Sequence, residues 1–204
     1  MDKKYYYHIY NNLFEYLVYR NKKLPKKLTQ LEFNESFDAD NLIVIYADDI
    51  AIILTKHGSK YAVLGADGKR KIKDISTKNK LSEILYICDI NYVADKTATS
   101  LTSTNKMLQD LKQTYPDIWF QIRPYKTFEL NIPQSVAVPK HTIASKEDVD
   151  KLLNVEHKTK NSIPQIYEWD PPICWLGGRS GQFVEVERYS GIIGIQKVIR
   201  HIID

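Results

Sequence analysis

The stretch that decides the fold is Ile163-Pro164-Gln165-Ile166-Tyr167-Glu168-Trp169-Asp170-Pro171, followed by Leu176-Gly177-Gly178-Arg179-Ser180-Gly181-Gln182-Phe183-Val184. Two prolines bracket a short extended segment, because each fixes its own φ and biases the preceding residue towards extended conformations. Gly177 and Gly181 then frame a tight turn. After this turn, residues 183–188 alternate apolar and charged side chains, which predicts a strand with one buried face.

The flanking segments complete a small C-terminal module. Gly191 and Gly194 indicate a loop, which is followed by a predicted last strand over residues 195–203. Upstream, the Ser-Lys-Glu-Asp run at residues 145–148 is typical of a capping box at the start of a helix. The apolar stripe of that helix comprises Val149, Leu152 and Leu153. The module is therefore predicted to be α+β.

Together these segments resemble the C-terminal assembly domain of the fifth subunit shared by eukaryotic nuclear RNA polymerases, a subunit that also has an archaeal counterpart. The pattern fits from Val138 to the end of the chain without insertion or deletion. The residues that carry it are Pro139, His141, Pro164, Asp170, Pro171, Gly177, Gly181, Arg188, Gly194 and Arg200. One departure is Gly191-Ile192-Ile193, which stands where the family usually has Glu-Thr and a small residue.

The resemblance implies a non-catalytic subunit of a multisubunit DNA-dependent RNA polymerase, with no cofactor and no metal of its own. Residues 136–204 would dock on the largest subunit, and residues 1–135 would form a mixed-sheet jaw domain beside downstream double-stranded DNA. A divergent jaw and a composition rich in Lys, Asn, Tyr and Ile suggest a homologue from a large cytoplasmic DNA virus of the asfarvirus type. The protein would accompany the polymerase, in viral factories and the virion if viral and in the nucleus if cellular.

Composition permits this interpretation. The 204 residues are 43% hydrophobic and 26% charged, which is ordinary for a soluble globular protein able to bury a core. A formal net charge of +4 is compatible with touching nucleic acid but below what a free-standing DNA-binding module requires. Cys88 and Cys174 lie outside any C-x-x-C motif, which indicates a reducing compartment and neither a zinc ribbon nor a disulfide framework. We expect no membrane partner, because no long apolar run is present.

An alternative function arises from Tyr46-Ala47-Asp48-Asp49, which lies between two apolar runs and resembles the hairpin of reverse-transcriptase palms. There, paired carboxylates hold catalytic metal ions, so a metal-dependent nucleic-acid enzyme is the competing hypothesis. That chemistry needs a third aspartate on an earlier strand, and no apolar run before Asp48 carries one. Two strands joined by an exposed turn that contains Asp48 and Asp49 are favoured instead.

The rest of the N-terminal part predicts a mixed sheet with helices. Apolar side chains recur every three or four positions over residues 3–20, which predicts an amphipathic helix. Gly65 and Gly68 are typical of the turn of a hairpin. Strands are predicted at residues 61–64, 71–75, 84–90, 119–122 and 127–130.

Two segments are candidates for contact with nucleic acid. The first is a basic loop of Lys22, Lys23, Lys26 and Lys27, although such clusters more often simply face solvent. The second is a predicted helix start at residues 101–108, where the family has a Thr-Pro-Ser-Ala type turn close to downstream DNA. Its DNA-proximal candidates are Thr102, Ser103, Thr104 and Lys106. Ser103 replaces the proline, and an ordinary N-cap explains this segment equally well.

Overall fold

The computed structural model describes residues 2–62, 64–78, 80–88, 99–155, 157, 159–191 and 194–204. The chain divides into two units, Met1–Glu129 and Leu130–Asp204, and each contains its own sheet. The boundary predicted at residues 135/136 lies slightly C-terminal to this division.

The N-terminal unit is built on a mixed sheet. Its elements are α1 (Lys3–Tyr19), α2 (Gln30–Asp40), β1 (Leu42–Ala47), β2 (Ile50–Thr55), α3 (Ala66–Lys78), β3 (Glu83–Cys88), α4 (Thr99–Thr114) and β4 (Trp119–Pro124), followed by a 3-10 helix (Tyr125–Phe128). The described strands lie in the order β1-β2-β3-β4, with β1 and β2 antiparallel and β3 parallel to both of its neighbours. The predicted mixed sheet and α1 are therefore confirmed. Strand β3 is internal and fully buried, as expected, while residues 89 and 90 of that prediction lie outside the described residues.

The hairpin predicted at residues 61–75 is wrong, because this segment contains helix α3. Strands β2 and β3 are parallel, so the chain must cross over between them, and α3 is that crossover. Ile72 and Ile75 are buried against the sheet at helical spacing. Gly68 lies inside the helix instead of in a turn, and a Cβ there would meet the hydroxyl oxygen of Tyr86 at 2.8 Å. Glycine therefore allows α3 to approach the sheet closely.

The strand predicted at residues 127–130 is also wrong. The chain leaves β4 at Pro124 and forms the 3-10 helix, which buries Tyr125 and Phe128. Asn12 of α1 donates through Nδ2 to the carbonyl oxygens of Phe128 and Glu129, at 2.8 and 3.1 Å. These carbonyls are thus satisfied by a helix side chain, so no neighbouring strand is needed.

A buried ion pair ties α1 to the sheet. Glu83 at the start of β3 is 1% exposed, and its Oε1 accepts from Nη1 of Arg20 at 2.6 Å and from Nε2 of Gln121 at 2.9 Å. The same Arg20 nitrogen donates to the Tyr16 hydroxyl at 2.6 Å. Although burial disfavours the charged guanidinium, Tyr16 and Glu83 raise the pKa of Arg20 above its ordinary value. Both charges are therefore paired and hydrogen-bonded, the condition under which buried ions are tolerated.

The C-terminal unit is a second α+β sheet. Its elements are β5 (Lys140–Ile143), α5 (Lys146–Asp150), β6 (Gln165–Tyr167), α6 (Pro171–Leu176), β7 (Phe183–Ser190) and β8 (Gly194–Ile203). The described strands lie in the order β5-β7-β8-β6, with β7 antiparallel to both neighbours and β6 parallel to β8. The two long strands and the α+β class predicted for this unit are confirmed.

Local sequence signals explain these elements. The Ser145 hydroxyl caps α5 by accepting from the amide of Asp148 at 3.1 Å, as the capping-box pattern predicts. Pro171 occupies the start of α6, where its missing N–H costs nothing. Ile173 and Trp175 of α6 are fully buried. At Gly178 a Cβ would stand 2.8 Å from both Ile173 and Ile202, so only glycine lets the chain leave α6 this close to β8.

Candidate functional site

A cluster of charged side chains forms on one face of the C-terminal sheet. In register, His141 on β5 lies opposite Val186 on β7, and Arg200 on β8 lies opposite Val184. Directly paired residues of antiparallel strands project to the same face, and Arg188 follows at the next alternate position of β7. His141, Arg188 and Arg200 therefore share the face whose apolar part includes Ile173 of α6.

His141 is nearly buried within this cluster. It is 8% exposed, and its Nδ1 lies 2.6 Å from the carbonyl oxygen of Pro139, which places the proton on that nitrogen. Burial lowers the pKa of His141, with the positive charges of Arg200 and Arg188 acting in the same direction and the Pro139 carbonyl and Asp170 opposing them. The imidazole is therefore held neutral near pH 7 as a fixed group of the sheet.

Asp170 brings a carboxylate to the same cluster from the start of α6. Its backbone is fixed by two hydrogen bonds, from its own amide to the Tyr167 carbonyl at 3.1 Å and from the Cys174 amide to its carbonyl at 2.9 Å. Burial raises the pKa of Asp170, and the positive charge of Arg200, together with that of His141 when its imidazole is protonated, opposes that shift. Its side chain makes no capping hydrogen bond to α6. It interacts electrostatically with His141 and Arg200.

The two arginines retain most of their hydrogen-bonding capacity. Nη1 of half-buried Arg200 donates to the carbonyl oxygen of Gln165 at 3.3 Å, and Arg188 is exposed. Among the described residues neither arginine forms an ion pair, whereas Lys197 on the opposite face bridges Glu185 at 2.8 Å and Glu187 at 3.4 Å. A guanidinium offers five donors in a planar fork that matches a carboxylate. The cluster can therefore accept an acidic group from outside the chain.

The other predicted assembly residues shape the backbone around this cluster. Pro139 precedes β5, and the carbonyl of Pro164 accepts from the amide of His201 at 2.9 Å beside β6. Positive φ angles of 71°, 88° and 80° occur at Gly177, Gly181 and Gly194, which lie at the end of α6 and at the turns flanking β7. The structure thus brings together His141, Asp170, Arg188 and Arg200 and leaves the prolines and glycines with conformational roles.

The predicted helix start at residues 101–108 is wrong in its position. Helix α4 begins at Thr99, so Thr102, Ser103, Thr104 and Lys106 lie inside its first two turns and form neither a separate turn nor an N-cap. Without a proline at Ser103 nothing stops the helix from extending further back, and a run of hydroxyl residues offers several equivalent cap positions. Lys106 is exposed to solvent. Proximity of these residues to DNA stays a prediction.

Asp48 and Asp49 lie at the turn between β1 and β2, as predicted, and both carboxylates are engaged. Asp49 accepts from Nζ of Lys22 at 2.6 Å and from the hydroxyl of Ser82, and Asp48 accepts from the amide of Lys23 at 2.8 Å. The hydrogen bonds from Lys22 and Ser82 lower the pKa of Asp49 to about 2. Among the described residues no group of three potential ligands could hold a metal ion. The aspartates instead anchor the basic loop, whose Lys22 is thereby occupied.

Sequence reasoning missed the concentration of positive charge on α3. This helix contains Lys69, Arg70, Lys71, Lys73 and Lys78 against two aspartates, whereas its sequence predicts part of a hairpin. The spacing of Ile72 and Ile75 was the signal that could have revealed the helix. No helix among the described residues is both long and apolar enough to cross a membrane.

Comparison with known proteins agrees with these observations. Residues 130–202 match the family model described as RNA polymerase Rpb5, C-terminal domain. The chain is 28% identical over 200 residues, covering 95% of both chains, to the DNA-directed RNA polymerase RPB5 homologs of several African swine fever virus isolates. It is 34% identical over 76 residues to subunit Rpo5 of Pyrococcus abyssi, covering 37% of this chain and 93% of that protein. The resemblance inferred from the sequence is confirmed, and the chain belongs to the Rpb5 family of DNA-directed RNA polymerase subunits.

Proposed function

We propose that this chain is an accessory subunit of a multisubunit DNA-directed RNA polymerase and performs no catalysis itself. Its C-terminal unit docks on the largest subunit, and its N-terminal unit borders downstream double-stranded DNA. The observation that carries the proposal is that the family match coincides with the C-terminal unit, where four residues from separate segments converge in one charged cluster. Similarity to the viral polymerase subunits over nearly the whole chain supports the same role for both units.

The C-terminal cluster has the chemistry of a docking surface. Arg188 and Arg200 present guanidinium groups beside one carboxylate and a neutral histidine, so the cluster carries an excess positive charge. Close by in sequence, Tyr167 and Trp169 stack with ring centroids 4.7 Å apart and remain 44% and 41% exposed. Exposed aromatic rings and arginines are the residue types that dominate binding energy at protein interfaces. We expect the largest subunit to supply acidic side chains opposite this cluster.

The charge distribution supports contact between the N-terminal unit and DNA. Residues 1–129 contain 20 Lys and Arg against 16 Asp and Glu, whereas residues 130–204 contain nine of each. The net charge of +4 thus falls entirely in the N-terminal unit. Neutralising phosphates requires such an excess, while docking on a protein does not. In this role the protein would reside with the polymerase, in viral factories of the cytoplasm and in virions for a viral enzyme.

Co-purification tests the docking proposal. We expect the tagged full chain to recover the large polymerase subunits, and the double variant Arg188→Ala/Arg200→Ala to recover at least tenfold less of them. Removing one partner of a desolvated, hydrogen-bonded charge pair costs about 2–5 kcal/mol, which corresponds to such a loss. The matched control, Lys146→Ala/Lys151→Ala, removes two exposed charges from the same unit and should bind normally. Normal recovery by the arginine variant would show that the cluster does not dock.

A further inference from the structure

Strand β1 lies at one edge of the N-terminal sheet and carries none of the features that usually protect such an edge. Among the described strands it pairs with β2 alone, in a register that has no bulge over its whole length. Its residues, Leu42–Ala47, include neither a charged side chain nor a proline. Folded proteins usually block an edge with charges, prolines or bulges, because an unblocked edge can accept a further strand.

The opposite edge strand, β4, is protected. It ends at Pro124, which has no N–H group to offer to a neighbour. Nη1 of Arg123 donates to the carbonyl oxygen of Ile122 at 3.1 Å, so a side chain of the strand itself occupies this carbonyl. The two edges of the sheet therefore differ, and β1 is the edge at which the sheet can be extended.

The hydrogen bonds at the start of β1 show which backbone groups face outwards. The carbonyl oxygen of Asn41 accepts from the amide of Lys56 at 2.9 Å. Bonded residues alternate along an antiparallel ladder, so the N–H and C=O groups of Leu42, Val44 and Tyr46 point away from β2. Within the described part of the chain, no hydrogen bond is made to the outward groups of Leu42 or Val44. Val44 is half-buried and Tyr46 is 44% exposed, so this edge reaches the surface.

The two faces of the sheet at β1 differ in character. Val44 packs in the apolar core under α3, and Tyr46, two residues further on, projects to the same face. The alternate residues project to the face of α1, since Ala47 is aligned through β2 with Glu83, the partner of Arg20. Helix α2 lies on this second face, because its aromatic rings pack against those of α1.

Helix α2 makes its side of the edge acidic. It carries four acids and no base, and it leads directly into β1. Glu35 and Asp40 are exposed and form no ion pair with any described residue. The lysines beside the other two acids are Lys3 and Lys56 at Asp38 and Lys26 at Glu32. The acids of α2 outnumber these lysines, so an added strand meets an apolar face on one side and a net negative charge on the other.

We propose that β1 takes up an extended segment of a partner protein as a fifth strand of this sheet, and that this segment alternates apolar residues with lysine or arginine. Hydrogen bonds to the outward backbone groups of β1 hold the segment, its apolar side chains lie beside Val44 and Tyr46, and its basic side chains face the acids of α2. A second copy of the chain fits less well, because pairing of two β1 strands brings two acidic α2 helices together. The inference goes beyond the proposed function and does not depend on docking to the largest subunit.

Hydrogen exchange measured by NMR on the full chain tests this strand addition, with a synthetic peptide of alternating lysine and valine as the probe. The outward amides of Leu42 and Val44 should exchange at least about tenfold more slowly when the peptide is bound. The amides of Ile43 and Ile45 already bond to β2 and should change little. The same peptide with glutamate in place of lysine should give no protection. Protection by both peptides or by neither overturns the inference, and so does protection that appears when the chain alone is concentrated, because it identifies a second copy as the occupant.

Variants of β1 locate the bound peptide. Val44→Pro removes an outward N–H that β2 does not use, so the sheet should still form while binding of the lysine–valine peptide weakens about tenfold or more. The matched control Val44→Thr keeps both the N–H and the strand propensity and should bind as the wild type does. A peptide N-methylated at its valines, which lacks the N–H groups that face β1, gives the same test without changing the protein. Equal binding of Val44→Pro and Val44→Thr, or of the methylated and unmethylated peptides, shows that the peptide lies elsewhere and overturns the inference.

The charge of α2 is tested separately. Glu35→Gln/Asp40→Asn should weaken binding of the lysine–valine peptide about three- to tenfold, because two exposed ion pairs are lost. The control Glu147→Gln/Asp150→Asn removes two exposed acids from the C-terminal unit and should leave the affinity unchanged. An equal effect of both variants would contradict recognition of basic side chains by α2.

Discussion

At the scale of single residues, Asp49 shows how a pattern typical of catalysis is used for structure. Replacing Asp49 with Asn removes the carboxylate that holds Lys22 and Ser82. The expected loss of unfolding free energy is about 1 kcal/mol or less, because the side chain is 43% exposed and solvent screens the pair. The folded pKa of Asp49 is depressed to about 2 from 3.8, so its stabilisation is complete above 3.8 and is lost as pH falls towards 2. Urea unfolding at neutral and acidic pH measures both effects.

The control for this prediction is Asp117→Asn, because Asp117 is an exposed acid that lines the same surface groove as Asp49, together with Ser82 and Tyr115. The unfolding free energy of this variant should equal that of the wild type.

Polymerase activity of complexes carrying Asp48→Asn/Asp49→Asn should equal that of the wild type once folding is accounted for, because only a bound metal would make these carboxylates essential. A magnesium-dependent nuclease activity of the wild type that is absent from this double variant would contradict the structural role. It would support the alternative of a metal-dependent enzyme.

At the scale of elements, the close packing of α3 on β3 predicts an unusual response to Gly68→Ala. In an exposed helix this change stabilises by about 1 kcal/mol. Here the new Cβ would lie 2.8 Å from the hydroxyl oxygen of Tyr86, which is held by its hydrogen bond to the Tyr61 carbonyl at 2.7 Å. We therefore expect a loss of about 1–3 kcal/mol in chemical unfolding, as for other overpacked sites.

A double-mutant cycle provides the control for Gly68→Ala. Tyr86→Phe removes the oxygen that the new methyl group would strike, so adding Gly68→Ala to this background should cost less than it does in the wild type. Contacts to the ring carbon at 3.3 Å and to Leu64 at 3.2 Å remain, so we expect only partial relief. A stabilising effect of Gly68→Ala alone would show that α3 does not approach Tyr86.

Elements with local signals could be predicted from the sequence, and those set by distant contacts could not. The cap at Ser145 and the alternation over residues 183–188 are encoded within a few positions, so the start of α5 and strand β7 are predicted correctly. The predicted apolar stripe extends too far, because α5 ends at Asp150 and Leu152 and Leu153 lie in the π-helix Lys151–Val155. Helix α3 exists because two parallel strands need a crossover. Its apolar residues Ile72 and Ile75 follow Gly65 and Gly68, so in sequence they look like a short strand after a turn. The charged cluster could not be predicted from local sequence either, because its residues come together only in the tertiary structure. The resemblance named His141, Arg188 and Arg200, but only the strand register shows that they share one face. Asp170 lies on no strand, and its electrostatic interaction with His141 and Arg200 places it beside them.

At the scale of the whole molecule, the two units differ in net charge and in the range of proteins that match them. The viral relatives match nearly the whole chain, whereas the archaeal relatives match only about a third of it. The net positive charge lies in residues 1–129, while the family model covers residues 130–202. Archaeal Rpo5 proteins from Pyrococcus abyssi and Methanocaldococcus jannaschii are matched over 93% and 95% of their length by 76 and 74 residues of this chain, about the size of the C-terminal unit. This separation motivates cutting the chain between the units.

The whole-molecule prediction is that residues 130–204 fold alone and bind the largest subunit, whereas residues 1–129 do not bind it. The fragment starts at Leu130 because the 3-10 helix Ile132–Gln134 packs against α6 and would be lost by a later cut. Its core is small, centred on Ile173, Val184 and Ile202, so we expect marginal stability that rises when the partner binds. Circular dichroism checks folding, and a pull-down with each fragment checks binding. Recovery of the largest subunit by residues 1–129 alone would contradict this prediction. The charged cluster that should hold the partner lies entirely in the C-terminal unit.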